Sequence, residues 1–262
     1  GFDWWPSRHR VSVKVQPSQK PDDPDAWRLV ITTDVLRGLD LKSPEVARRT
    51  SKLAALSPTY AWVVRPPEVA ERYDVAGDAV AFQSTAYLRE ENVSWLPRFI
   101  GNAAILQPIA ALRHAENLAE ALGARPDYSR PSDAASDSFV DEILSVEDSV
   151  FVPAGCETSR WSGSDEFSEV AERFGRSDLC FGNGDSSGLV LETPIGTTSA
   201  LIRLFTDLPH PLLGSGLLST LKMPHARSES ETLSEAIWLN FMESTFWTGT
   251  PQLGSWHARE ER

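Results

Sequence analysis

The sequence predicts an α+β chain of two related domains, each a small antiparallel sheet packed against helices. Three observations carry this. Short, β-branched, alternating stretches recur in both halves of the 262 residues. Segments with helical spacing and helix-start chemistry lie between and after them. A hydrophobic fraction of 41% with nine Trp is enough for a sizeable core, yet no run approaches a membrane helix of roughly 18 apolar residues.

The elements follow in order. Val11 to Pro17 alternates apolar and polar and predicts a half-buried strand. The Pro- and Asp-rich stretch after it predicts a loop. Trp27 to about Thr33 predicts a second strand. Ser43, Pro44 and Glu45 form a helix start, with Val46, Arg49, Leu53 and Leu56 at helical spacing behind it. Thr59 to Arg65 predicts a strand, ended by Pro66-Pro67 because neither ring nitrogen can donate to a ladder. The stretch from Pro66 to Asp74 suggests a helical turn, and Ala79 to Leu88 another strand. The next run is helical by composition; Pro97 and Pro108 predict two helices or one with kinks, closed at Gly123.

In the second half, the segment from Phe139 predicts a short helix, and Ser164 or Asp165 caps a further one running to Gly175. Strand, turn and strand follow, with Asn183-Gly184 at the turn. Thr197 to Pro209 predicts a strand, and about Ser230 to Ser244 a helix. The stretch around Trp256 predicts a last strand.

Two stretches suggest one unit written twice. "TTD" at Thr32–Asp34 precedes "YAWVVR" at Tyr60–Arg65, and "FTD" at Phe205–Asp207 precedes "GSWHAR" at Gly254–Arg259. From Asp to Trp the spacing is 28 residues in the first case and 49 in the second, so the second copy needs an insertion, read as an apolar loop after Asp207. The Pro-, Ser- and Asp-rich stretch after Gly123 is the natural linker. The expected partition is therefore a domain at 1–124, a linker at 125–138 and a divergent, possibly incomplete copy at 139–262.

The order built on Ile31 to Leu39, Val46 to Trp62 and Val80 to Leu122 resembles the small α+β fold of type III secretion chaperones and YbjN-like proteins. That resemblance implies an antiparallel sheet packed against helices, and a peptide-binding, chaperone-like role without catalysis. The alternatives are a structural subunit of a larger assembly or an enzyme of unrecognised class.

Charge narrows the partner. Residues 1–130 hold 17 Lys/Arg and 16 Asp/Glu, leaving 8 and 21 for the rest, within a net charge of −12. The acidic second half disfavours nucleic acid, whose phosphates need a basic surface. The expected partner is a protein or extended peptide, with no membrane and with self-association left open. The opening residues have neither the charged start nor the apolar run of a signal peptide. With only Cys156 and Cys180, free thiols in a reducing, cytoplasmic compartment are favoured over one bridge.

No strong catalytic signature emerges, and no cofactor or metal is expected. The five His lack zinc spacing. The Gly182–Gly188 stretch lacks the spacing of a phosphate loop and reads as a hairpin turn. Ser215 in Gly214-Ser215-Gly216 lacks the spacing of a nucleophile elbow and reads as loop. Asp141, Glu142, Glu147 and Asp148 beside the linker read as a solvated acidic face. His114 and Glu116, two apart on a helix, do not share a face. The candidate binding residues are Trp62, Arg65, Phe82, Tyr87 and Trp256. In strands, such aromatics serve either as core or as a platform for an apolar partner segment. Trp4 and Trp5 are expected to pack on the domain or on a partner.

Overall fold

Alternating apolar residues between Val11 and Leu88 build the first sheet. The structure is a computed structural model. It describes residues 9–18, 25–40, 42–54, 60–65, 79–94, 96–128, 164–183, 186–210, 214–224, 228–245 and 256–258. Its strands are β1 (Val11–Pro17), β2 (Trp27–Arg37), β3 (Ala61–Arg65) and β4 (Ala79–Leu88). Neighbours are antiparallel, in the order β1-β2-β4-β3. β2 runs four residues past the expected end. A register shift between Asp34 and Leu36 adds a residue there, and β5 (Arg125–Pro126) pairs with Leu36 and Arg37. The Asp127 N–H donates to the Val35 carbonyl at 2.8 Å, and Arg37 forms an ion pair with Asp127. The start of the expected linker is thus part of the sheet.

The helices form where their end chemistry predicts. α1 (Pro44–Ala54) begins behind Ser43, with Pro44 in the first turn, where its missing N–H costs no helical bond. α2 (Leu96–Leu122) is one helix that continues through Pro108. Gly123 closes it at φ +65°, a conformation strained for residues with a Cβ. The Ala124 N–H then donates to the Ala119 carbonyl and the Gly123 N–H to that of Glu120, the pattern of a Schellman cap.

Side-chain alternation gives the sheet two faces. Leu29, Ile31, Phe82, Ala86, Trp62 and Val64 lie on one, and α2 covers them with Ile100, Ala111, Ala115, Leu118 and Leu122. In this apolar layer one amide is buried. In the orientation that satisfies every partner, the Gln107 amide nitrogen donates to Thr33 Oγ1 (3.2 Å) and the Phe82 carbonyl (3.1 Å). Its oxygen accepts from the Ser84 N–H (3.2 Å) and hydroxyl (2.7 Å). On the other face, Ala61 and Val63 meet Phe241 of α4 (Glu229–Thr245). Ser228 caps α4, and Glu231 three residues on reaches back to the Ser228 N–H at 2.9 Å.

The contacts of the chain divide it into two compact units, residues 1–143 with 227–262, and residues 144–226. This revises the expected partition at 125–138. The helix assigned to the second copy packs on the first sheet, because its apolar stripe carries the cover for Ala61 and Val63.

The 144–226 unit has its own antiparallel meander, β6 (Cys180–Asn183), β7 (Ser186–Ile195), β8 (Thr198–His210) and β9 (Gly214–Lys222). The β7–β8 turn is two residues long, with Gly196 at φ +58° as its first member. α3 (Ser164–Arg173) packs Phe167 and Ala171 on Leu189, with Leu191, Leu204 and Cys180 beside them. The segment expected as an apolar loop is strand β9, whose Ser215 pairs with Pro209. The two sheets differ in strand order, so the duplicated letters do not mark equivalent positions. The short helices expected near 66–74 and 139–149, Trp4, Trp5, Cys156, the four carboxylates from Asp141 to Asp148 and the rest of the linker lie outside the described residues.

Replacing Phe82 by Ala is expected to cost about 3–5 kcal/mol, since a large side chain leaves a closed apolar layer. A urea unfolding midpoint unchanged from the native chain would show that Phe82 is not core.

Candidate functional site

The aromatic candidates divide by place. Trp62 and Phe82 are register partners on β3 and β4, 4% and 1% exposed, with ring centroids 5.2 Å apart. Tyr60 stacks on Phe82 at 4.4 Å. Trp62 and Phe82 are part of the seat of α2 and present almost no surface to a partner, while Tyr60 is half-buried. Arg65 ends β3, and its side chain lies outside the described residues. Tyr87 is buried on the opposite face, across from Arg28. Burial pushes the Arg28 guanidinium below its ordinary pKa, against the charge and hydrogen bond of Tyr87. On the same face the Thr32 hydroxyl donates to Gln83 Oε1 at 3.3 Å. This side of β2 and β4 is therefore a buried polar layer, unlike the side under α2.

Trp256 is half-buried and stands in no strand among residues 256–258, contrary to the expected last strand. Side chains hold its main chain instead. The Trp256 N–H donates to Asn240 Oδ1 at 2.7 Å, and its carbonyl accepts from Asn240 Nδ2 at 2.9 Å. The Ala258 N–H donates to Ser51 Oγ at 3.0 Å. Asn240 and Ser51 were not singled out from the sequence. A signal was present, because each occupies an inward helical position. Asn240 follows Leu233 and Ala236 on the buried stripe of α4, and Ser51 follows Ala47 on that of α1. A polar residue on such a stripe needs a partner.

An ion-pair chain ties the two helices carrying these groups. Arg48 of α1 donates to Glu229 of α4 at 2.7 Å and to Glu45 at 2.9 Å, and Arg49 donates to Glu45 at 2.8 Å. The hydrogen bond from Arg48 holds the Glu229 carboxyl below its usual range, and that from Arg49 does the same first for Glu45.

Strand β1 lies at the sheet margin and, among the described residues, pairs only with β2. Two apolar side chains are in the open here: Val15 of β1 is 55% exposed and Trp27, which begins β2, is 50% exposed. They share a face, since Val15 pairs with Leu29 and Trp27 with Pro17.

Among the described residues, no three His, Cys, Asp or Glu side chains group to hold a metal, and no helix is long and apolar enough to cross a membrane. Cys180 is a free, half-buried thiol. Comparison with protein-family models, curated proteins and solved structures finds no match.

The ion-pair chain has a pH signature. A depressed carboxylate stabilises above its unfolded pKa and loses this as pH falls through its folded pKa. Arg48→Ala is therefore expected to lower the melting temperature at neutral pH, with the gap closing in acid below the carboxylate range and shrinking with salt. A gap of equal size in acid would remove the ion pairs as its cause.

Proposed function

We propose that this chain is a non-enzymatic module that binds an extended segment of another protein, the role implied by the resemblance to secretion chaperones. The observation that carries the reading is the margin of the first sheet, where β1 has one unpaired side among the described residues, exposes its own Val15, and has exposed Trp27 on β2 opposite its end. An added strand takes its affinity from main-chain hydrogen bonds and its selectivity from side chains at every second position. Trp27 supplies a large, rigid contact of the kind that dominates interface energies. The partner segment accordingly carries apolar side chains at alternate positions. The net charge of −12 favours protein over nucleic acid as the ligand. The same reading places the chain in the cytoplasm, where the Cys180 thiol stays reduced.

The test is capture of partners from native extract by the tagged chain, read by mass spectrometry, with amide exchange on the isolated complex. Trp27→Glu is expected to reduce capture of the dominant partner by about tenfold or more, and the partner is expected to slow exchange along β1. Equal capture by the variant, with β1 amides unchanged by the partner, would overturn the reading.

A further inference from the structure

We propose that Ser51 and Asn240 form a receptor for extended main chain, and that residues 256–258 are its displaceable internal occupant. The inference rests on the peptide-binding reading only for the class of ligand, and uses residues other than the β1 margin.

The geometry is that of a strand partner built from side chains. A residue in an antiparallel pair gives its N–H and receives at its C=O across one narrow ring. The Asn240 amide makes both bonds to Trp256, at 2.7 and 2.9 Å. Ser51 continues the pattern two residues on, at the Ala258 N–H. In an extended segment the main-chain groups of residues i and i+2 point to one edge, so Asn240 and Ser51 read a single edge of the occupant. With residues 256–258 in place, both are only 3% exposed, so the contact lies away from solvent.

These three bonds go to main chain, which any sequence without proline at the two donor positions supplies. Selection falls to the side chains: Trp256 and Ala258 are half-buried and His257 is exposed. The receptor therefore fits an extended segment with a large apolar residue followed, two positions on, by a small one. Each bond is of small net worth against water, and fixing three residues opposes them through lost chain entropy. An occupant held in this way exchanges with a competitor. The internal segment then acts as a brake, since tethering gives it a high effective concentration that a partner must exceed.

The test uses the full chain. Trp256→Pro with Ala258→Pro removes both N–H donors and vacates the receptor. A fluorescein-labelled peptide GSWHARE is then titrated by anisotropy. Saturable binding to the proline variant is expected, with binding to the native chain weaker by about tenfold or more. Adding Asn240→Leu is expected to abolish it, as is N-methylation of the peptide at its Trp and Ala amides. Trp27→Glu in the same background is expected to leave it unchanged, so failure of the β1 reading and failure of this one are separable. No binding to a proline variant with native circular dichroism and melting would overturn the proposal. So would equal binding to native and vacated chains. If the proline variant does not fold, amide exchange on the native chain decides: Asn240→Ala must speed exchange at Trp256, and an unchanged rate would overturn the proposal.

Discussion

Nine of the ten residues of β4 are buried, whichever way they point. A strand closed on both faces cannot be completed by one layer of helix. α2 follows β4 directly and supplies the first layer. The second draws on α4, which lies far along the sequence and packs over β3 and onto β4. Burial of Ala79–Leu88 on both faces thus requires the chain to return. That return brings Asn240 and residues 256–258 to α1.

The buried amide of Gln107 fixes how the first layer sits. It touches β2 through Thr33 and β4 through Phe82 and Ser84. Apolar contact alone would tolerate a slide of α2 along the sheet. A slide would strand four polar partners at once, and each carries a desolvation cost of about 1–3 kcal/mol. The network specifies one register for a helix that must also pass through Pro108.

Much of the fold was legible. Ser43 with Pro44, Gly123 with its Schellman bonds, and the alternation in Val11–Pro17 and Ala79–Leu88 are local signals that tertiary structure did not override. The strand Gly214–Lys222 was not, because Gly214 and Gly216 in a Pro-flanked stretch look like a loop, and only pairing with β8 makes them a strand. The destination of α4 was also hidden, since its apolar stripe states that it packs and not on what. The same limit applied to Trp62 and Phe82. An aromatic in a strand reads alike as core or as platform until the neighbouring layer is placed. Trp256 was found by its letters, but what holds it is Asn240, visible only as a polar residue out of pattern on a helix.

Placing residues 144–226 within the other unit sets an order of events during synthesis. The meander β6 to β9 pairs neighbours in sequence, so its contacts are available almost as soon as it leaves the ribosome. The first sheet must wait. Ser51 meets Ala258, 207 positions later. At roughly 5–20 residues per second that interval is about 10–40 s. Ala61 and Val63 wait for Phe241, 180 and 178 positions later, so for most of that interval the nascent chain carries an uncovered apolar sheet face. The unit that begins first is completed last, and translation speed bears directly on how long that face stays open to the wrong contacts.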